Sequence, residues 1–176
     1  NKPSFTWTDD SFEATKNEEA VIYEMLIRDF TEEGSYQAAI DRLDYLVNLG
    51  ITAIELMPIN EFEGNDSWGY NPSFYKAVDK AYGSENDLKE FINACHERGI
   101  SVLFDIVLNH SFGQSPLLSL YWDSVNNRPA EDNPWYNVQS NFENPDLQWG
   151  YDFNHESEDT RLFFNSVLDY WIEEFH

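Results

Sequence analysis

The chain has 176 residues, 41% of them apolar or aromatic, enough for a folded domain with a sizeable core and too many for a disordered segment. Ten Lys and Arg stand against 33 Asp and Glu, a formal charge of −23 that repels phosphate backbones and anionic lipid, so neither nucleic acid nor a membrane is an expected partner. No apolar run reaches the ~18–20 residues that span a bilayer, no basic stretch followed by an apolar one opens the chain, and one cysteine, Cys95, excludes an intrachain disulfide.

Residues 1–19, with Pro3, Phe5, Trp7 and Phe12 among several acids and no sustained period, read as a lead-in or the end of a preceding domain. VIYEMLIRDF, Val21 to Phe30, is apolar and too short for a typical helix, which predicts a strand. In SYQAAIDRLDYLVNLG, Tyr36, Ala39, Ile40, Leu43, Leu46 and Val47 recur at three- and four-residue spacing. That spacing predicts a helix ended by Gly50. ITAIELMPI, Ile51 to Ile59, is a second strand, ended by Pro58 because proline lacks a ladder donor. A loop of roughly 25 residues, Asn60 to Gly83, follows.

Ser84 with Asp87 three residues on has the pattern of a capping box, opening a helix whose inner face is Leu88, Phe91, Ile92 and Cys95 and whose stop is Gly99. ISVLFDIVL is a third strand. After it, Asn109 to Ser157 form a stretch of nearly 50 residues rich in Asn, Pro, Trp and Tyr. A last helix sets Phe163, Phe164, Val167, Leu168, Trp171, Ile172 and Phe175 on one face.

Strands alternating with helices predict an α/β fold with a parallel sheet and right-handed crossovers. In such folds the loops after the strands carry the site, and here those loops are the long ones while the turns around Gly50 and Gly99 are short. Three strands do not close a barrel, which needs about eight. The chain is therefore a small open sheet or the first part of a barrel, and the wide apolar face of the last helix, with no strand after it before His176, favours the barrel.

Three clusters carry candidate chemistry. Asp105 lies within an apolar strand, where it is either a buried acid hydrogen-bonded to backbone or Arg, or a site residue. Asn109 and His110 stand where that strand meets the long loop, either as turn caps or as ligand groups. In SWGYNPSFY, Phe74 and Tyr75 read as local core. Trp68 and Tyr70 suit a sugar, which offers an apolar ring face to an aromatic and hydroxyls to nearby polar groups.

The ordered set GITAIELMPINEFEG, SWGYNPSFY, YGS before a helix, and DIVLNHS resembles the alpha-amylase superfamily, glycoside hydrolase family 13, from about Val21 to Ser111 and again from Trp149 to His176. VIYEMLIRDFT is similar to the first strand of the branching-enzyme, trehalohydrolase and pullulanase branches, where a β-sandwich commonly precedes the barrel. Met25 and Leu26 depart from the Leu-His often found there. The resemblance implies the first three β/α units of a TIM (β/α)8 barrel, with a small domain inserted after the third strand. Its boundaries are a lead-in at 1–19, barrel units at 20–110, the inserted domain at 111–156 and a barrel helix at 157–176.

The same resemblance implies that His110 hydrogen-bonds the sugar where the glycosidic bond is cut, that Tyr70 packs on that sugar with Trp68 nearby, and that Asp105 supports the site. It also implies that Asn109 can bind calcium, that no organic cofactor is needed, and that an alpha-glucan is the partner, alongside the remainder of the chain's own barrel. A retaining glycosidase needs two carboxylates about 5–5.5 Å apart. In this family they follow the fourth and fifth strands, beyond His176, so this chain alone is expected to be inactive. The alternatives are a glucan-transferring enzyme of branching type, a non-catalytic glucan-binding member of the superfamily, and a small independent α/β domain.

Overall fold

The computed structural model describes residues 4–176; Pro3 of the expected lead-in lies outside them. In chain order the elements are β1 (Ile22–Met25), α1 (Ile27–Phe30), α2 (Tyr36–Ile40), α3 (Leu43–Leu49), β2 (Ala53–Leu56), β3 (Asn60–Phe62), β4 (Pro72–Val78), α4 (Glu85–His96), β5 (Ser101–Phe104), β6 (His110–Ser111), α5 (Pro116–Leu120), β7 (Trp122–Asp123), β8 (Arg128–Pro129), β9 (Tyr151–Asp152) and α6 (Glu158–Phe175). They gather into two compact units, one running up to Ile59 and resuming over Val78–Asp105, the other made of Asn60–Ala77 and Ile106–His176. No helix among the described residues is long and apolar enough to cross a membrane.

The first unit is a three-stranded parallel sheet in the order β1-β2-β5 with helices between the strands. Ile22 pairs with Ala53 and Met25 with Leu56 on one side of β2, and Ala53 with Ser101 and Leu56 with Phe104 on the other. Ala53, Ile54 and Leu56 of this central strand are all buried, as expected of a parallel strand covered on both faces. Beside the sheet, Tyr36, Ala39, Leu43, Leu46, Leu88, Phe91, Ile92 and Cys95 are buried, so the inner face read for α4 is the one the fold uses.

The predicted capping box is present. Ser84 Oγ accepts from the Asp87 backbone N–H while Asp87 Oδ2 accepts from the Ser84 backbone N–H at 2.7 Å. Gly50 takes φ +87° as the left-handed cap of α3. Asp9 and His96 form a buried pair at 2.6 Å, and Phe12 stacks on the His96 ring at a centroid distance of 3.9 Å. Asp9 and Phe12 are thus pinned to α4.

Four expectations for this unit need correction. The run Val21 to Phe30 is a strand only over Ile22–Met25. Leu26 then starts a single helical turn, its carbonyl accepting from Asp29 N at 3.0 Å and Phe30 N at 3.1 Å. The helix read from Tyr36 to Leu49 is two, because at Asp41 and Arg42 the chain tightens to i→i+3 bonds such as Arg42 N to Ala39 O, 3.0 Å. Val47 is exposed rather than core. The third strand ends at Phe104, so Asp105 is its first residue beyond, with its N–H donating to Leu56 O at 2.9 Å.

In the second unit, the stretch read as a long loop after Ile59 holds a two-stranded sheet of β3 and β4, and the stretch from Asn109 holds the antiparallel pairs β6–β9 and β7–β8. Its core is aromatic. Tyr75 packs edge-on against Phe153, Phe163 and Phe164, and Tyr136 stacks on Phe153 at 4.3 Å. Tyr75 is core as read, but Phe74 is 40% exposed because strand alternation turns it to the other face. In α6, Thr160, Phe164, Val167, Trp171 and Phe175 are buried. Leu168 and Ile172 are exposed, the latter at 72%, so the apolar face is wider than the buried one.

Candidate functional site

The loop from Glu63 to Asn71 is closed by Asn71. Its backbone carbonyl accepts from Glu63 N at 3.1 Å and its side-chain N–H donates to Glu63 O at 2.8 Å, a reciprocal clasp. Ser67 hydrogen-bonds Asn71 Oδ1 and accepts from Gly69 N at 3.0 Å. Gly69 has φ +91°, a backbone conformation that β-carbon sterics disfavour in other residues. The tight loop leaves Trp68 62% exposed and holds Tyr70 half-buried.

His110 is on β6. Its Nε2 lies 2.8 Å from the backbone carbonyl of Tyr70, and its Nδ1 lies 3.1 Å from Asn109 Nδ2. A carbonyl can only accept, so Nε2 carries a proton and donates it to Tyr70 O, while Nδ1 faces the Asn109 amide. Tyr75 Oη donates to His110 O at 2.6 Å. Burial, with Tyr136 adding a smaller effect, pushes the Tyr75 phenol well above its ordinary range, so the hydroxyl keeps that proton. Gly150 lies against the same strand: a β-carbon there would sit 2.5 Å from Ser111 O and 3.0 Å from His110 Cδ2.

Beside Asn109 is an open pocket of about 230 Å³ whose lining includes Asn141, Asp152, Asn154 and Glu156. Asp152 Oδ2 accepts from Asn137 Nδ2 at 2.7 Å and from Asn141 N at 3.1 Å. These are hard oxygen donors, the type calcium takes, with the Asn109 amide nitrogen already turned to His110. Carboxylates are few, and among the described residues no group of three or more His, Cys, Asp and Glu is arranged to hold a metal. The donor chemistry fits calcium through amide and carboxylate oxygens rather than through a carboxylate cluster.

The second unit therefore brings Tyr70, Asn109 and His110 together, with Trp68 two residues from Tyr70. Asp105 belongs to the first unit, half-buried at the end of β5. Sequence reasoning passed over Ser67 and Asn71 as loop closers, Tyr75 as a support of the His110 carbonyl, and Gly150. An Asn before a Pro was the signal for Asn71. No local pattern points to Gly150, whose demand arises from chain segments distant in sequence.

An α/β chain with a parallel sheet and a loop-rich unit carrying a hydrogen-bonded histidine, an exposed tryptophan and an oxygen-lined pocket is what fold and site define. The chain belongs to the alpha-amylase family, residues 7–175 matching the alpha amylase catalytic domain. It is 34% identical over 177 residues, 99% of this chain, to a malto-oligosyltrehalose trehalohydrolase of Saccharolobus solfataricus, spanning 29% of that relative. It is 37% identical over 144 residues to the 1,4-alpha-glucan branching enzyme of Nitrosospira multiformis, covering 81% of this chain and 18% of that enzyme. A crystal structure of a Salmonella typhimurium protein assigned as an alpha amylase superposes with a TM-score of 0.82 and 35% identity, covering 98% of this chain and 27% of that one. The chain thus spans less than a third of each of these proteins.

Proposed function

We propose that the parent protein is a retaining glycosidase acting on alpha-glucans, and that this chain supplies the first three β/α units of its TIM barrel with the inserted domain at 111–156. The observation that carries the reading is the Tyr70–His110–Asn109 cluster, inside a chain whose residues 7–175 match the alpha amylase catalytic domain. The 34% identity to a malto-oligosyltrehalose trehalohydrolase and the 37% identity to a 1,4-alpha-glucan branching enzyme support alpha-glucan as the substrate class.

In this reading Tyr70 and Trp68 offer aromatic faces to the sugar, and His110 meets a sugar hydroxyl at the bond to be cut. Both His110 ring nitrogens already have protein partners, so the incoming hydroxyl shares or replaces one of them. For Asp105, the supporting role is carried over from the family resemblance alone. The nucleophile and the acid/base are assigned to the fourth and fifth barrel strands, which are not among these three β/α units, so in this reading the 176-residue chain alone does not cleave. Asn109 Oδ1 and Asp152 would hold a calcium ion, which would supply a positive charge to the oxygen donors of this pocket.

The test is reducing-end release from maltooligosaccharides by the full-length protein, with the anomer of the first product read by NMR. An inverted product, or no cleavage at any chain length, defeats the reading. Thermal unfolding with and without chelator tests the metal: an unchanged midpoint removes calcium from it. A glucan-transferring enzyme is the second reading, favoured by the 37% identity to a branching enzyme, and new alpha-1,6 branch points in amylose would establish it.

A further inference from the structure

A second pocket, of about 240 Å³, lies in the same unit and is lined by Gly113, Leu118, Ser119, Trp122 and Tyr151. Tyr151 and Asp152 are consecutive residues of β9, and consecutive side chains of a strand point to opposite faces. Asp152 lines the pocket beside Asn109, whereas Tyr151 lines this one, so the two pockets open on opposite faces of the β6–β9 pair.

Trp122 and Tyr151 meet edge to face, with ring centroids 5.4 Å apart and planes at 85°, giving two aromatic walls at right angles. Trp122 is held by its place on β7, opposite Pro129 of β8. Ser119 Oγ donates to Ser115 O at 3.2 Å, which leaves its lone pairs to accept from a ligand hydroxyl. At Gly113 a β-carbon would meet no heavy atom within 4 Å, so the pocket is open on that side. All five lining residues are uncharged in a chain whose formal charge is −23. An ionic ligand finds no counter-charge in this lining. A neutral one, apolar on its ring faces and hydroxylated at its edge, finds both kinds of contact, and the volume is below the ~300 Å³ at which drug-sized sites begin, a size for one sugar ring.

We propose that Trp122, Tyr151 and Ser119 form an auxiliary subsite for one neutral pyranose ring of an alpha-glucan, separate from the cluster at His110. The choice of glucan rests on the function proposed above. The subsite holds long chains and takes no part in bond cleavage.

The experiment compares the full-length protein with its Trp122→Ala and Gly113→Leu variants, reading retention in gels containing soluble starch and kcat/KM on maltotetraose. Gly113→Leu fills the pocket without removing an aromatic side chain, and guards against a Trp122→Ala chain that fails to fold. Both variants are expected to weaken starch retention roughly fivefold, the loss of one aromatic–ring contact, while kcat/KM on maltotetraose stays within about twofold of the wild type. Retention unchanged in Gly113→Leu, or no retention of the wild type, overturns the subsite even where hydrolysis is normal. Retention that falls in the variants of a protein without hydrolytic activity upholds the subsite and defeats the glycosidase reading instead.

Discussion

The Nε2–H of His110 donates to the backbone carbonyl of Tyr70 across 2.8 Å, joining two residues 40 positions apart. The contact uses the main chain of Tyr70, so the tyrosine ring is left to serve another purpose. Tyr70→Ala is expected to keep the imidazole in place, lower kcat/KM of the full-length enzyme on maltooligosaccharides by roughly ten- to a hundredfold, and change thermal stability little. Steady-state kinetics beside a melting curve separates these effects; a large loss of stability with unchanged kinetics would assign the ring to packing.

Tyr75→Phe deletes the donor at 2.6 Å from His110 O and nothing else, since Asn60 Nδ2 and Trp171 Nε1 bond the Tyr75 backbone carbonyl, at 2.9 and 2.7 Å. The expected cost is about 1 kcal/mol in urea denaturation. A fall in kcat/KM should accompany it, because the strand that presents His110 loses one of its fixings.

Gly150→Ala should be worse than its size suggests. The residue has φ +62°, and the new methyl would lie 2.5 Å from Ser111 O, a backbone atom that cannot swing aside. Strain on the order of 1–3 kcal/mol follows, seen as a lower denaturation midpoint. Because His110 Cδ2 is only 3.0 Å from the same methyl, the His110 ring resonances in NMR should shift as well.

The buried Asp9–His96 pair predicts a particular pattern of coupling. Their side chains are 3% and 4% exposed, so the hydrogen bond between them is buried and removing either side chain breaks it. Asp9→Ala or His96→Ala should each cost about 1–3 kcal/mol, the penalty of leaving a buried polar group short of a hydrogen bond, and the double variant less than the sum. Additive losses in a double-mutant cycle would show that the two side chains act by packing alone.

The capping box at Ser84 predicts an acid-side loss of stability. The hydrogen bond from the Ser84 side chain is the chief cause holding the Asp87 carboxyl below its ordinary range; burial opposes it, and the Ser84 backbone N–H and the Gln37 amide add smaller effects in the lowering sense. A folded pKa below the unfolded one means the carboxylate stabilises fully above the unfolded value, near 4, and the contribution fades as pH falls through the lower folded value. Comparing wild type with Asp87→Ala in urea, the difference should be about 1 kcal/mol at neutral pH and shrink below pH 4.

Much of the first unit was legible because it is written in local bonds. Ser84 with Asp87 and the left-handed Gly50 need only their own neighbours to form, and the spacing of Leu88, Phe91, Ile92 and Cys95 already fixes which side of α4 is buried. Where two local states have similar cost the pattern fell short. The apolar run after Val21 fits a strand or a helical turn, and the choice is made by β2, whose pairing with β1 ends at Met25 opposite Leu56. The two-stranded sheet of β3 and β4, hidden by the Gly, Asn and Asp between them, and the exposure of Ile172 likewise depend on what packs nearby.

By itself, then, the sequence determined the α/β order, the helix caps and the alpha-amylase family, all carried by residues close together in the chain or in fixed order along it. The tertiary structure alone decided that Tyr70 meets His110, that Tyr75 and Gly150 close in on the same strand, and that Asp152 and Tyr151 line different pockets. These relationships exist only once the loops have closed, because each joins groups that no spacing along the chain brings within hydrogen-bonding or packing distance.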